Sequence, residues 1–240
     1  MADLYCYDET NVLKNKLDIR DEKTLNLIEA EQSRMEMLLL YDSGFNEFSV
    51  SGFYKLHEKL FSYIYDWAGQ PRIVNLIKKE SILCGKSVWY SDSDNIAKDL
   101  ENAFKELNSV NWEAISKEDF IKQLVPKIAS IWQIHPFREG NTRTTVIFMI
   151  LFIESFGYYV DKELLSKSAG YVRNSLVLAS FNENSEYEHL ERILFDAVRI
   201  EETVYDKYTI VGENNELYEK YDIGHYEVTA HEVTTEKYEI

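Results

Sequence analysis

Helix breakers are scarce in this 240-residue chain, which holds three prolines (Pro71, Pro126 and Pro136) and nine glycines. So few interruptions, among many Glu, Lys and Leu residues, favour long helices. Apolar residues at helical spacing mark where they run. Asp21 to Leu40 carries Leu25, Ile28, Met35, Leu38 and Leu39, and Ser51 to Trp67 carries Phe53, Leu56, Leu60, Ile64 and Trp67. Further helices are expected over about 93–107, 117–132, 142–156, 162–181 and 187–204. Ser116, followed by Glu118 and Asp119, reads as the N-cap of the 117–132 helix.

Two stretches depart from this pattern. Residues 71–90 carry β-branched residues, Gly85 and no helical stripe, and read as a short hairpin or flap. From Glu201 onward, eleven acids and three lysines leave a formal charge of −8, half of the chain's −16. Short strands or a disordered tail both suit that acidic end. The expected organisation is therefore a mainly α single domain over 1–204 with a hairpin flap, and an acidic C-terminal extension over 205–240.

Charge narrows the function classes. A net −16 argues against a nucleic-acid binder and against a polybasic membrane anchor. Cys6 and Cys84 form no disulfide framework or zinc spacing, and no signal or spanning segment is evident. The location expected is cytoplasmic, with a secreted-effector role left open.

One segment concentrates chemistry: His135-Pro-Phe-Arg-Glu-Gly-Asn-Thr-Arg143, running into the apolar stretch Val146–Phe152. A Gly-Asn-Thr turn that opens a helix offers free backbone N–H groups at the positive end of the helix dipole, a ready anion site. Arg143 in the first helical turn can grip phosphate as a fork. Glu139 can hold a Mg²⁺ ion that phosphates also ligate. His135 can accept a hydroxyl proton at neutral pH. Base, metal ligand, anion loop and arginine together describe phosphoryl or nucleotidyl transfer.

These residues resemble the Fic signature, His-x-Phe-x-Asp/Glu-Gly-Asn-Gly-Arg-x-x-Arg, at His135, Phe137, Glu139, Gly140, Asn141 and Arg143. Leu13-Lys-Asn-Lys-Leu and Tyr65-Asp-Trp-Ala-Gly-Gln-Pro-Arg extend the likeness to about residues 5–200. The resemblance implies a helical protein adenylyltransferase that moves AMP from ATP, with Mg²⁺, to a Tyr, Thr or Ser hydroxyl of a target protein. His135 would be the base, Glu139 the Mg²⁺ ligand, and Phe137 a core anchor of the loop. Gly140, Asn141, Thr142 and Arg143 would form the phosphate site, with Asn182 as a further nucleotide contact. The flap at Ile73, Val74, Asn75, Leu76 and Ile77 would pair with an extended target segment. An antitoxin-like regulator and self-modification, for example at Tyr90 or Tyr226, are further implied partners.

The sequence departs from the signature twice. Thr142 stands where glycine is usual; a positive φ there would cost a β-branched residue roughly 1–2 kcal/mol. Val146 replaces the last arginine. The family's inhibitory pattern Ser/Thr-x-x-x-Glu-Gly/Asn fails at Ser33, followed at the fifth position by Met37. It is matched formally at Thr209 and Glu213, where loop coincidence is the favoured reading. The alternatives within this chemistry are phosphorylation or UMP transfer, and outside it an inactive nucleotide-binding module. His57, His189, His225 and His231 read as packing residues, Cys84 as a small apolar filler, and Trp67, Trp89, Trp112 and Trp132 as core.

Overall fold

The computed structural model describes residues 3–182, 184–200, 221 and 233–234. Helix α1 (Glu22–Asp42) starts where the Asp21 carboxylate accepts the Thr24 N–H, and α2 (Val50–Phe61) where the Ser49 hydroxyl accepts that of Gly52. Helices α3 (Ile96–Asn108), α4 (Lys117–Ile134), α5 (Asn141–Ser155), α6 (Lys162–Lys167), α7 (Ala169–Ala179) and α8 (Glu188–Ala197) follow. Ser116 caps α4 through the Asp119 amide, as its sequence predicts.

Helices α4 and α5 sit at the centre. α4 packs against α3, α5, α7 and α8, while α5 packs against α2 and α4. From Ile147 to Ile153 every residue of α5 is buried, because this apolar run meets neighbours on all sides. Phe148 fixes the centre, with its ring 5.4–5.7 Å from those of Phe48, Phe53 and Phe104.

Four expectations about elements need correction. Helix 51–67 ends at Phe61, and Ile64 and Trp67 lie in the turns that follow. Helix 162–181 divides at Ser168, where α6 closes and α7 begins; Ser168 and Gly170 lend the junction little helix preference. Helix 187–204 stops at Ala197, and Val198–Ile200 becomes strand β3, antiparallel to β2 (Tyr158–Val160). Their β-branched and aromatic residues suit a pleated pair better than a helix end. In α1 the expected apolar stripe holds at Leu25 and at half-buried Ile28 but fails beyond them. Met35, Leu38 and Leu39 are exposed, and the buried residues are Leu25, Glu29, Ser33 and Leu40.

The flap holds strand β1 (Ile77–Lys78) and an antiparallel bridge from Lys79 to Ser87. β1 also pairs antiparallel with β4 (Val233–Thr234), matching Ile77 with Thr234 and Lys78 with Val233. The tail touches the body again at Tyr221, which is buried and donates to Asp196 at 2.6 Å. Thr209, Glu213, Tyr226, His225 and His231 lie outside the described residues. Among those described, no helix is long and apolar enough to cross a membrane. Trp112 and Trp132 are buried as expected, but Trp89 is exposed on the flap and Cys84 is exposed at a left-handed turn.

Candidate active site

His135 caps α4 in the left-handed region, at φ 51°, and turns the chain into the motif loop. Its ring is buried, and Nδ1 lies 3.3 Å from the Trp132 carbonyl. A carbonyl only accepts, so Nδ1 carries the hydrogen and Nε2 the lone pair. Among the described residues, buried Nε2 has no partner. Burial, and then the charges of Lys78 and Arg72, hold the imidazole well below its ordinary pKa and keep it neutral. Tyr90 stacks on this ring at 4.1 Å while its hydroxyl lies 3.4 Å from Glu80.

Arg72 holds the loop from the far side. It is buried, its Nε donates to the His135 carbonyl at 2.8 Å and its Nη1 to Val74 at 2.6 Å, while Nη2 reaches Ser91. Four carbonyls around one guanidinium, with that of Ile134 the fourth, tie the flap to the loop carrying His135. Phe137 is the anchor expected, fully buried and stacked at 3.7 Å on His57. His57 is more than filler. Its Nδ1 accepts the Gly69 N–H at 2.8 Å and its Nε2 meets the Glu139 carbonyl at 3.0 Å, so it fixes the backbone beside Glu139.

Glu139 accepts the Gly140 N–H on Oε1 at 3.0 Å. Burial opposes its charge, but Lys78, the Gly140 amide and Arg143 outweigh it and hold the carboxyl well below the usual range. Gly140 then takes φ 79°, a conformation that costs glycine little. Thr142 lies inside α5 and is not among the positive-φ residues, so the strain a positive φ would bring there does not arise. The Thr142 hydroxyl accepts the Trp132 indole N–H at 3.0 Å.

The first turn of α5 leaves the N–H groups of Asn141, Thr142 and Arg143 without helical acceptors, an arrangement that can bind an anion. Of Asn141, only the backbone N–H is left for an anion. Its buried side chain accepts from the Phe137 N–H at 2.9 Å and donates to the Phe137 carbonyl at 2.7 Å. Arg143 Nη1 donates to Ser33 at 2.8 Å, Nη2 pairs with Glu29, and the guanidinium lies over the Phe61 ring. Asn182 sits beside the end of α4 and accepts from Gln133 at 2.6 Å.

Sequence reasoning missed Arg72, Glu29, Tyr65 and the buried pair of Arg138 with Asp3 at 2.6 Å. The Tyr65–Arg72 stretch was visible as a likeness, but contiguous spacing gives no sign of a partner far along the chain. His189 lies with Glu186 and Glu188 in a surface acidic group, a common arrangement without a metal.

Comparison with known proteins adds to this geometry. The sequence model of the Fic/DOC family matches residues 47–153. A probable protein adenylyltransferase, y4lH of Sinorhizobium fredii, is 34% identical over 69% of this chain and 82% of its own length. The protein adenylyltransferase VbhT of Bartonella schoenbuchensis is 27% identical over 66% of this chain, which spans only 32% of that relative. In fold, the chain is similar to the BepC protein of Bartonella tribocorum, solved with bound AMPPNP. The TM-score is 0.67 at 22% identity, over 82% of this chain and 97% of that one. By motif, helical core and relatives, the chain belongs to the Fic/DOC family.

Proposed function

We propose that the chain transfers AMP from ATP to a side-chain hydroxyl of a protein. The observation that carries this reading is the buried, neutral His135 with its Nε2 lone pair unpartnered, on a loop that runs directly into the α5 anion site. Nε2 takes the proton of the target Tyr, Thr or Ser hydroxyl, and the oxygen attacks the α-phosphorus. The bond from that phosphorus to the bridging oxygen breaks, and pyrophosphate leaves. The N–H groups of Asn141, Thr142 and Arg143 receive phosphate oxygens, and Arg143 faces the leaving phosphates. Asn182, at the end of α4, is proposed as a further nucleotide contact.

Glu139 fits a magnesium ligand. It is held ionised, and among the described residues only its Oε1 is engaged, which suits a hard ion bound by one carboxylate and phosphates. Bound there, Mg²⁺ would neutralise charge on the phosphates. The flap is proposed to dock the target by strand addition. Its β1 edge pairs with the chain's own β4 in antiparallel register, which supports an edge suited to extended segments, and a target strand would take the place of β4. Tyr90 is a poor candidate for self-modification, since its ring packs on the base and its hydroxyl points to Glu80.

The relatives named adenylyltransferases support the class of reaction. His135→Ala tests the assignment of the base. With α-labelled ATP and a protein acceptor, labelling is expected to fall by at least ~10²-fold. An unchanged rate would reject His135 as the base.

A further inference from the structure

Arg143 is the sole cation of α5, so any arginine grip on phosphate from that helix falls to one side chain. The structure shows what holds it. Helix α1 buries a polar face, with Glu29 5% and Ser33 4% exposed, and that face meets Arg143. A buried carboxylate needs partners to offset its desolvation. Glu29 has two: the Tyr65 hydroxyl on one oxygen and Arg143 Nη2 on the other. Ser33 takes Nη1 at 2.8 Å, and the Phe61 ring lies 4.9 Å beneath the guanidinium. Among the described residues Nε makes no hydrogen bond, so part of the fork stays available to a phosphate. Burial works against the charge of Arg143, but Glu29 and Glu139 outweigh it and raise its pKa.

We propose that Glu29, braced by Tyr65 and assisted by Ser33, is a positioning residue that sets the Arg143 guanidinium for the leaving phosphates. This rests on the AMP-transfer reading above. Tyr65 fixes Glu29, so the carboxylate belongs to the frame of the site and does not act as a gate that must swing away. An arginine ordered in advance does not lose its rotamer freedom when nucleotide binds. It also stands ready where charge develops as pyrophosphate departs.

The test is kinetic. Glu29→Gln keeps the shape and removes the charge. In it kcat for AMP transfer should fall about 10-fold or more, the scale of a misplaced catalytic contact. KM for ATP should not fall, because the freed arginine then loses rotamer freedom when nucleotide binds. Because Glu29 acts through Arg143, Glu29→Gln added to Arg143→Ala should slow transfer no further than Arg143→Ala alone.

A Glu29→Gln enzyme with unchanged or higher kcat would overturn the proposal and make Glu29 a competitor of phosphate. Equal slowing in both backgrounds would also overturn it. Should Glu29→Gln fail to fold, Ser33→Ala carries the test, with a smaller fall in kcat expected only where Arg143 is present. If the wild type transfers no AMP, the functional reading fails by itself. Positioning is then read from binding of ATP alone, where Glu29→Gln must weaken affinity in the wild-type background and not in Arg143→Ala, and tighter binding would overturn it.

Discussion

At Gly140, the turn between His135 and helix α5 depends on a missing side chain. A Cβ there would come within 2.4 Å of the fully buried Phe61 ring, at a φ of 79° that side-chain-bearing residues avoid. Gly140→Ala should therefore lose roughly 1–2 kcal/mol to backbone strain and roughly 1–3 kcal/mol to overpacking, measured as a lower urea midpoint. An undiminished midpoint would show that the loop has another path. His57 gives a pH signature. Burial above all pushes its pKa down to about 3, so the native state keeps it neutral while the unfolded chain takes a proton near ~6.5. Stability is intact above that value and falls as pH drops below it, by about 1.4 kcal/mol at pH 5.5 from this residue alone. The stability difference between wild type and His57→Gln should narrow by that amount between pH 7.5 and 5.5. A constant difference would contradict the buried neutral state.

At the scale of elements, what could be read in advance followed from contiguity. The motif residues lie within nine positions, His135 to Arg143, and helix α5 follows them at once, so both were legible. Helix α1 was legible in extent but only partly in face. An apolar stripe was the natural guide, yet the buried face carries Glu29 and Ser33 because Arg143 and Tyr65 supply their partners from elsewhere. The β2–β3 pair was hidden for a related reason: strands of three residues leave too little alternation to separate from a helix end. Arg72 likewise gains its meaning only when the flap and the loop after α4 come together. Resemblance to a family pointed to the candidate site, and long-range pairing decides how each of its residues is held.

At the scale of the whole molecule, the acidic excess and the catalytic chemistry separate. Half of the −16 follows residue 200, while the site draws its positive field from Lys78, Arg72, Arg143 and the amides of α5. The rigid frame for that field is the aromatic centre around Phe148. Phe148→Ala should cost about 3–5 kcal/mol and lower Tm by roughly 10 °C. A shift of only a degree or two would mean that the cluster is not the keystone of the fold. The central claim concerns which phosphorus is attacked. Incubating the wild-type protein with Mg²⁺, a protein acceptor and ATP labelled at the α-phosphate, and separately at the γ-phosphate, tests it most directly. The structure predicts that α-label alone becomes bound to protein; label arriving only from the γ position would contradict AMP transfer and assign phosphoryl transfer instead.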